Sequence, residues 1–590
     1  MSTEPQDLND TQFRSRAISA AQGNQPFDVL IRGGRVADVI TGQLRPADVG
    51  LVGPLIASVH KPDETKNLTA LKTVDAENAI VCPGLIDMHM HVESSMITPQ
   101  EYSRSVLPRG VTTAVWDPHE LANVAGLDGI DYALKAAQAA KMRFLTLAPS
   151  CVPSAPGFET TGGDFDAKTI QQLLAKPDIH GVAEVMSMQA VLGRSERMTG
   201  IVQAGLASGK RVCGHARGLD GLSLNAYVSA GIQTDHELTS AEDLLLKLQA
   251  GLTIELRGSH DHLLPEFVVA LNSLNTFPQT VTLCTDDVFP NDLYNKGGVD
   301  DVVRRLIRYG LDPMKALQAA TLNASTQLGR RDLGVIAPGR RADIAIVDSL
   351  DTFNTHQVFM DGDTVEISTE QYTTGNNIPA NPDLKNTTEI KSFNESDFEI
   401  YASGTTAKVA TIKRPRFTQW GNRCVQVDQG KVICPDDMTQ MAVINRFSKA
   451  QQPRLALLED WGEWRGVFAT TVSHDSHNVT LFGKGSADFA LAANTVRALK
   501  GGLAVVSNGE IMATMGLPLC GLMQENPLSE VAYEFDNIVQ AMENIVTWQP
   551  PYLVFKACFG ASLVCNAGPH LSDLGIVDSF SGDILDSPIL

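Results

Sequence analysis

The stretch PGLIDMHMH at residues 83–91 decides how the rest of the chain is interpreted. It follows a short apolar run at 79–81 and carries two histidines, His89 and His91. In a β-strand, residues i and i+2 point to the same face, so both imidazoles can reach one point. That arrangement suits a divalent metal ion. The pair alone is weak evidence, because exposed strand histidines commonly bind nothing, and the interpretation depends on the remaining sequence.

Downstream of residue 83, short apolar strands alternate with helical segments such as AEDLLLKLQAG, which is typical of parallel β/α units. Eight strands can be placed, the number that closes a barrel. The pattern therefore predicts an α/β protein built on a (β/α)8 TIM-like barrel. Its strands are expected at 84–91, 111–117, 143–149, 181–186, 211–216, 232–237, 252–256 and 281–287.

The regions on either side of the barrel differ from it in pattern. Residues 27–82 alternate short β-rich runs with turns, and the segment that leaves the barrel again has a strand, a turn and a strand. We expect these two flanks to form one small β-sandwich. The predicted domains are an N-terminal tail (1–26), the sandwich (27–82 and 335–372), the barrel (83–334), an Asn/Thr-rich linker (373–395) and a C-terminal mixed α/β domain of the α+β type (396–590).

Composition narrows the class of protein. The chain has 590 residues, of which 43% are hydrophobic, as in ordinary globular proteins. No run approaches the length of a membrane span, and the polar start lacks the apolar core of a secretory signal. The nine cysteines are scattered without a Cys-x-x-Cys pair, which favours buried thiols in the reducing cytoplasm. The net charge of −21 argues against a nucleic-acid partner.

Polar side chains recur in or directly after five of the predicted barrel strands. Active sites of such barrels lie at the carboxyl ends of the strands, so these side chains are expected to meet at one mouth. Four imidazoles and two carboxylates exceed the needs of one metal ion and suit two. Each residue singly could be a core histidine, a paired carboxylate or a helix cap, but five strands would have to share that coincidence. The candidates are His89, His91, Glu184, His215, His236 and Asp286.

The motifs resemble those of the amidohydrolase superfamily and, within it, of the adenine deaminase family. The resemblance spans nearly the whole chain outside the N-terminal tail, and the exit GVIAPGRRADIAIVD is similar to that superfamily's return from barrel to sandwich. The segments VSHDSHN and GLPLCGLM in the C-terminal region also resemble the family. The other motifs that carry the resemblance are PGLIDMHMHVESSMITPQEY, DPHELANVAG, GVAEVM, GHARGL, DHE and LCTDD.

The resemblance implies a role for each candidate ligand. His89 and His91 would bind one metal ion, His215 and His236 the second, and Glu184 would bridge the two. Many amidohydrolases use a carboxylated lysine for that bridge, whereas the carboxylate of Glu184 needs no modification. The implied cofactors are two divalent ions of manganese, iron or zinc, and nitrogen and oxygen ligands without a thiolate do not distinguish them.

The resemblance further implies hydrolytic deamination of adenine to hypoxanthine and ammonia, with a metal-bridging hydroxide attacking C6. Asp286 would bind the first metal and carry the proton from water to the leaving amine. A second acid must protonate a ring nitrogen, and the loop after strand two offers Asp117, His119 and Glu120. We favour Glu120, with His119 next, although this loop could equally cap the following helix.

Other residues at the same mouth are candidates for contacts with the purine. They are Glu93, Ser94, Ser95, Asp117 and Arg217. The expected partners are adenine and water, without a nucleic-acid polymer or a membrane. The family resemblance also implies a homo-oligomer, and we expect a dimer.

Two departures from the family pattern leave alternatives open. Val288-Phe289 replaces the usual Arg-His after strand eight, and LRGSHDHLL after strand seven is also unusual. A related binuclear amidohydrolase acting on another aminopurine or a cyclic amide is therefore an alternative. A non-catalytic, metal-stabilised scaffold is disfavoured because every expected ligand is present. The spacing in His474-Asp475-Ser476-His477-Asn478 would suit a metal site, a lid or a structural loop, and the sequence assigns it no role.

Overall fold

The computed structural model describes residues 8–366, 381–415, 417–447, 452–548 and 553–590. Residues 1–7 of the predicted tail, 367–372 of the predicted sandwich and 373–380 of the predicted linker lie outside the described residues. Within the described part, no helix combines the length and apolar character needed to cross a membrane. All nine cysteines are unpaired.

The chain begins with a helix and a set of short strands. Helix α1 (Thr11–Ala21) is capped by Asp10, whose side chain accepts a hydrogen bond from the backbone of Gln12, and it packs against three of the strands. Part of the predicted tail is therefore an ordered helix. The strands are β1 (Phe27–Arg32), β2 (Arg35–Asp38), β3 (Gln43–Pro46), β4 (Asp48–Val52), β5 (Leu55–His60), β6 (Ala70–Asp75) and β7 (Ile80–Pro83).

Eight parallel strands then form the barrel. Five pair in the order β12-β11-β10-β9-β8 and three in the order β13-β14-β15. Backbone hydrogen bonds join the two groups, from Gln233 N to Val212 O and from Asp286 N to His89 O, each 3.0 Å long. The predicted α/β barrel is thus confirmed. Its strands are β8 (Leu85–Met90), β9 (Val111–Trp116), β10 (Arg143–Ala148), β11 (Ile179–Val185), β12 (Arg211–Gly214), β13 (Thr234–Asp235), β14 (Thr253–Arg257) and β15 (Val281–Cys284).

Helices cover the outside of the barrel and follow the predicted pattern of strand and helix. The last two are continuous with each other through a π-helical turn at Ala319–Asn323. The helices are α2 (Pro99–Val106), α3 (His119–Ala139), α4 (Ala167–Leu174), α5 (Met188–Leu192), α6 (Glu196–Ala207), α7 (Gly221–Ser229), α8 (Ala241–Gln249), α9 (Leu264–Asn272), α10 (Pro290–Asn295), α11 (Val299–Arg308), α12 (Pro313–Gln318) and α13 (Ala324–Gln327).

After the barrel, the chain returns to the strands that precede it. It forms β16 (Ile344–Val347), β17 (Thr355–Met360) and β18 (Asp363–Val365). One sheet has the order β18-β17-β16-β7-β2-β3 and so combines strands from both flanks, while a second has the order β5-β4-β1-β6. Apolar residues of both sheets, such as Val49 and Ile344, are buried in one core.

The C-terminal region contains a nine-stranded sheet with the order β21-β20-β19-β23-β22-β26-β25-β27-β28. Its strands are β19 (Thr406–Lys413), β20 (Gln419–Asp428), β21 (Lys431–Val432), β22 (Met438–Ile444), β23 (Arg454–Glu459), β25 (Val467–Thr470), β26 (Val479–Gly483), β27 (Gly502–Ser507) and β28 (Glu510–Gly516), while β24 (Glu463–Trp464) pairs with β29 outside it. The remaining elements are α14 (Ser486–Leu499), α15 (Leu528–Ile545), β29 (Val546–Thr547), α16 (Leu553–Phe559), β30 (His570–Ser572), β31 (Gly575–Asp578) and β32 (Asp583–Leu585).

Helices lie on both faces of this sheet. Val467 and Ala469 of β25 share a core with Phe489 of α14, whereas Phe468 between them contacts Phe555 and Phe559 of α16. Successive strand residues point to opposite faces, so the alternation explains the two layers. The α16 side of the sheet faces the barrel, where Phe555 and Phe559 pack against Phe289, so the C-terminal region lies beside the carboxyl ends of the barrel strands.

Candidate metal centre

Six ligand-type side chains converge where the barrel strands end. Each is at most 5% exposed, although histidine and carboxylate side chains are normally found at the surface. These side chains are buried because they lie in or directly after the apolar strands that form the barrel wall. The group is His89, His91, Glu184, His215, His236 and Asp286.

Glu184 lies between two pairs of histidines. Its Oε1 is 3.7 Å from His89 Nε2 and 3.5 Å from His91 Nε2. Its Oε2 is 2.6 Å from His215 Nδ1 and 3.3 Å from His236 Nε2. Each oxygen of one carboxylate therefore faces a different pair of histidines. The 2.6 Å contact with His215 Nδ1 is a hydrogen bond, so ligation by His215 would use its Nε2, which has no hydrogen-bond partner among the described residues.

Asp286 completes the first pair from the end of β15, the strand next to β8. Its Oδ1 is 3.2 Å from His91 Nε2 and 3.7 Å from His89 Nε2. The residue has a φ of 58°, in the left-handed region that non-glycine residues rarely adopt. Such backbone strain costs on the order of 1 kcal/mol or more and is typical of functional sites.

The donor atoms fit a divalent metal ion. Two ligands of a tetrahedral ion at 2.1 Å are separated by about 3.4 Å, which is longer than a hydrogen bond. The contacts that Asp286 and Glu184 make with His89 and His91 span 3.2–3.7 Å. Neutral imidazoles and carboxylates without a thiolate suit manganese, iron and zinc alike.

The surrounding groups fix the orientation of the ligands. His91 donates from Nδ1 to the backbone oxygen of Asp117 at 3.0 Å, which leaves its Nε2 lone pair facing the centre. Glu255 Oε2 lies 3.8 Å from His236 Nδ1, and its Oε1 accepts a 2.9 Å hydrogen bond from Arg211. Glu255 is fully buried in β14 and was missed in the sequence, where it reads as one polar residue in an apolar strand.

The local charges keep both carboxylates ionised. Burial by itself would raise the pKa of Glu184, but hydrogen bonds from His215 and His236 hold it well below the usual value. Burial would also raise the pKa of Asp286, but the positive charge of Arg257 outweighs this effect. The pKa of Asp286 is therefore also well below its usual range. Ionised carboxylates are the form that binds metal ions.

The loop after β9 places its three candidates at different depths. Asp117 Oδ2 accepts a 3.1 Å hydrogen bond from His119 Nδ1. Glu120 is fully buried, accepts a 3.2 Å hydrogen bond from Ser94 Oγ, and lies 3.5 Å from His477 Nε2. Burial raises the pKa of Glu120, which favours its protonated form.

The candidate substrate contacts are divided between the cavity and its wall. Arg217 lines the cavity together with His119, whereas Asp117 and Glu120 are set behind the cavity surface. Glu93 accepts a 2.9 Å hydrogen bond from Trp116 Nε1.

Two serines follow Glu93 in the sequence and are held differently. Ser95 donates to the backbone oxygen of Val92 at 2.6 Å. Ser94 donates to Asp287 at 2.6 Å and so lies between Asp287 and Glu120. Glu93, Ser94 and Ser95 are all outside the cavity lining.

The C-terminal region contributes much of the cavity wall, of which the sequence left open only that the loop around His474 covers the mouth. Phe289, one of the departures from the family pattern, lines the cavity and packs against Phe559 with ring centroids 5.7 Å apart. From the barrel, Arg257, Ser259, His260 and Asp287 also line it. The lining residues from the C-terminal region are His474, Asp475, Lys556, Phe559, Gly560, Leu563 and Asn566.

Two family models match the chain. The one described as "Amidohydrolase family" covers residues 80–365, and "Adenine deaminase C-terminal domain" covers residues 415–582. The crystal structure of an amidohydrolase aligns over 58% of this chain and all of its own, with 18% identity and a TM-score of 0.43.

Curated proteins match over the full length. "Adenine deaminase 2" of Rhizobium meliloti (strain 1021) is 55% identical and covers 100% of this chain and 99% of its own. "Adenine deaminase" of Serratia proteamaculans (strain 568) is 46% identical and covers 97% of each chain. "Adenine deaminase" of Methanothrix thermoacetophila is 34% identical over 90% of this chain and 91% of its own.

Proposed function

The chain belongs to the adenine deaminase family of the amidohydrolases, and from that premise we propose that it hydrolyses adenine to hypoxanthine and ammonia at a centre of two divalent cations. The enzyme is a hydrolase, and amidohydrolases of this kind depend on metal ions. Its substrates are adenine and water.

The position of Glu184 carries the proposal of two cations. Its oxygens face the pair His89–His91 and the pair His215–His236 separately, at the distances given above. One cation would require the four rings to surround a single point. Two cations divide them, with Glu184 shared and Asp286 completing the first site. Manganese, iron and zinc all suit these ligands.

Cations held by these ligands would supply hydroxide at neutral pH, because they lower the pKa of water toward about 7. Asp286 is the proton carrier of the reaction. Its ionised carboxylate can accept the proton of the attacking water, and its place at the mouth lets it return that proton to the amino group leaving C6. Arg257 holds Asp286 in the ionised form before attack.

Glu120 is the acid that we propose for the ring nitrogen. Attack at C6 transfers electrons into the purine ring, so a nitrogen must gain a proton as the bond forms. Burial raises the pKa of Glu120 and so favours its protonated form, Ser94 Oγ lies 3.2 Å from its Oε1, and His477 Nε2 lies 3.5 Å from its Oε2. A carboxylic acid that stays neutral at pH 7 can act as a proton donor.

Arg217 is the substrate contact best supported by the structure. It lines the cavity, and its guanidinium lies 5.0 Å from the ring centroid of Phe417, which holds it in place. We also propose a cytoplasmic location, consistent with nine unpaired cysteines, and a homodimer on the family resemblance.

The test is reconstitution of the metal-free protein with Mn²⁺ or Fe²⁺, followed by ammonia release from adenine. Release that a chelator abolishes, together with about two ions bound at the ligand set above, would support the proposal. No release from adenine by the metal-loaded protein would contradict it, and release from another purine or ring opening of a cyclic amide would then identify the substrate.

A further inference from the structure

A second group of ligand-type side chains lies beside the six described above. His119 of the barrel faces His474 and Asp475, which belong to the loop between β25 and β26. Asp475 Oδ1 is 3.6 Å from His119 Nε2 and 3.8 Å from His474 Nδ1. These separations are longer than hydrogen bonds and close to the about 3.4 Å expected between two ligands of one cation.

Asp475 is a buried carboxylate with little compensation. It is 1% exposed, and its Oδ2 has no hydrogen-bond partner among the described residues. An unpaired buried carboxylate is costly, so such groups are normally paired or coordinate a metal ion. The second, independent observation is thus a buried carboxylate whose Oδ1 faces both histidines and whose Oδ2 is unsatisfied among the described residues.

His119 is oriented as a metal ligand. Its Nδ1 donates to Asp117 Oδ2 at 3.1 Å, so the lone pair of the neutral ring is on Nε2, which faces Asp475. A carboxylate that accepts from the far nitrogen of a ligating histidine is a usual partner of metal sites. Without a cation, this lone pair and the Asp475 carboxylate would repel each other.

We propose that His119, His474 and Asp475 bind a further divalent cation at the cavity wall. Two imidazoles and one carboxylate leave coordination positions open, and all three residues line the cavity, so water or substrate can reach them. The ligand types suit Mn²⁺, Fe²⁺ or Zn²⁺. His119 Nδ1 lies 3.7 Å from Glu184 Oε1, which places this site directly beside the binuclear centre.

The neighbouring pair of Glu120 and His477 is not part of the ligand set. His477 Nδ1 accepts a 3.2 Å hydrogen bond from the backbone N–H of Ser473, so the proton of the neutral ring is on Nε2. That N–H faces Glu120 Oε2 at 3.5 Å, which is longer than a hydrogen bond, and it offers no lone pair to a cation. The alternative to a cation is a proton on His119, whose ring would then carry a positive charge between the carboxylates of Asp117 and Asp475.

The cation would join two parts of the chain that are distant in sequence. His119 begins α3 of the barrel, whereas His474 and Asp475 come from the C-terminal region. Binding would therefore fix that loop against the mouth. This consequence does not depend on which substrate the binuclear centre processes.

The test is the metal content of full-length protein loaded with Mn²⁺ and desalted, measured by plasma mass spectrometry. We expect wild type to retain one more equivalent than Asp475→Asn and His474→Ala. The exposed His356→Ala is the matched control and should equal wild type. The result is the difference in bound metal between wild type and each variant. If the binuclear proposal fails, the total metal content of every protein changes, but this difference does not.

Anomalous scattering from crystals of the Mn²⁺-loaded protein provides the second measurement. A manganese peak within about 2.3 Å of His119 Nε2 and an Asp475 oxygen would support the site. Equal metal content in wild type and Asp475→Asn, or no peak between these residues, would overturn the proposal and favour a protonated His119. Asp475→Asn has nearly the same shape, so its folding can be verified by circular dichroism.

Discussion

Arg257 forms an ion pair with Asp286, and it is the group that lowers the pKa of this buried carboxylate. Its guanidinium also reaches Glu237 and Asp287, so three acidic residues at the mouth share one cation. Arg257 ends β14 and Asp286 follows β15, so the pair connects neighbouring strands. This arrangement ties the protonation of the proposed proton carrier to one arginine.

Arg257→Gln should move the acid limb of the pH profile of kcat/KM to higher pH. Removing the positive charge raises the pKa of Asp286, so a larger fraction is protonated and inactive at a given acidic pH. The measurement is kcat/KM against pH at equal metal content. The exposed Arg308→Gln is the control, and an unchanged acid limb in Arg257→Gln would contradict the role given to Asp286.

Glu120→Gln should lower kcat by about 10²–10⁴-fold, the usual contribution of a general acid. The amide keeps the shape and can still accept from Ser94, so metal content should stay at the wild-type value. Turnover of adenine and bound metal are measured on the same samples. A variant with normal kcat would assign ring protonation to another group.

The candidate ligands at the barrel mouth could be predicted because each lies in or next to a strand that is recognisable in the sequence. Apolar runs mark the strands, and the polar residues in or after five of these runs mark the mouth, so the barrel follows from residues 84–287 alone. Strand boundaries were less exact. The sixth strand comprises only Thr234–Asp235, and the eighth ends at Cys284, because the chain leaves the sheet to place His236 and Asp286 in the centre.

The residues that the C-terminal region contributes to the cavity wall could not be predicted, because their position depends on contacts between residues that are far apart in the sequence. Asp475 and Phe559 reach the mouth only through packing of the C-terminal sheet and α16 against the barrel. Glu255 was overlooked for a different reason. One acidic residue inside LTIEL gives no signal of its own until β13 places His236 beside it.

Glu255→Gln should weaken metal binding by roughly 10–100-fold, the effect typical of groups that orient a ligating histidine. The carboxylate contacts His236 Nδ1, and its loss frees the ring to rotate. Competition with a chelator of known affinity measures the change. The exposed Glu242→Gln is the control, and equal metal retention in both variants would show that His236 is held by other contacts.

His570 should make the fold sensitive to acid. Burial lowers its pKa to about 4 from an ordinary 6.5, so the folded state favours the neutral ring. The stabilisation is complete above pH 6.5 and is lost as the pH falls toward 4, with a limit of about 3 kcal/mol. Thermal unfolding between pH 7 and 4 should show a smaller loss for His570→Gln, which keeps a donor for the backbone oxygen of Gly568. Parallel loss in both proteins would contradict this assignment.

Phe289 connects substrate binding to the C-terminal region. Its ring packs against Phe535 and Phe559 with centroids 5.4 and 5.7 Å away, and the same side chain lines the cavity. Phe289→Ala should lower the stability by roughly 2 kcal/mol, less than for a fully buried phenylalanine because the ring is only half-buried.

The same substitution should reduce kcat/KM by roughly tenfold, because a loosened wall positions the purine poorly. Phe289→Leu retains apolar bulk and should lie between wild type and Phe289→Ala in both measurements. Metal content should be equal in all three proteins, since the phenylalanine ring offers no ligand atom. Stability and kcat/KM are measured on the same preparations. If stability falls while kcat/KM is unchanged, the residue at this position packs the two regions together without shaping the substrate site.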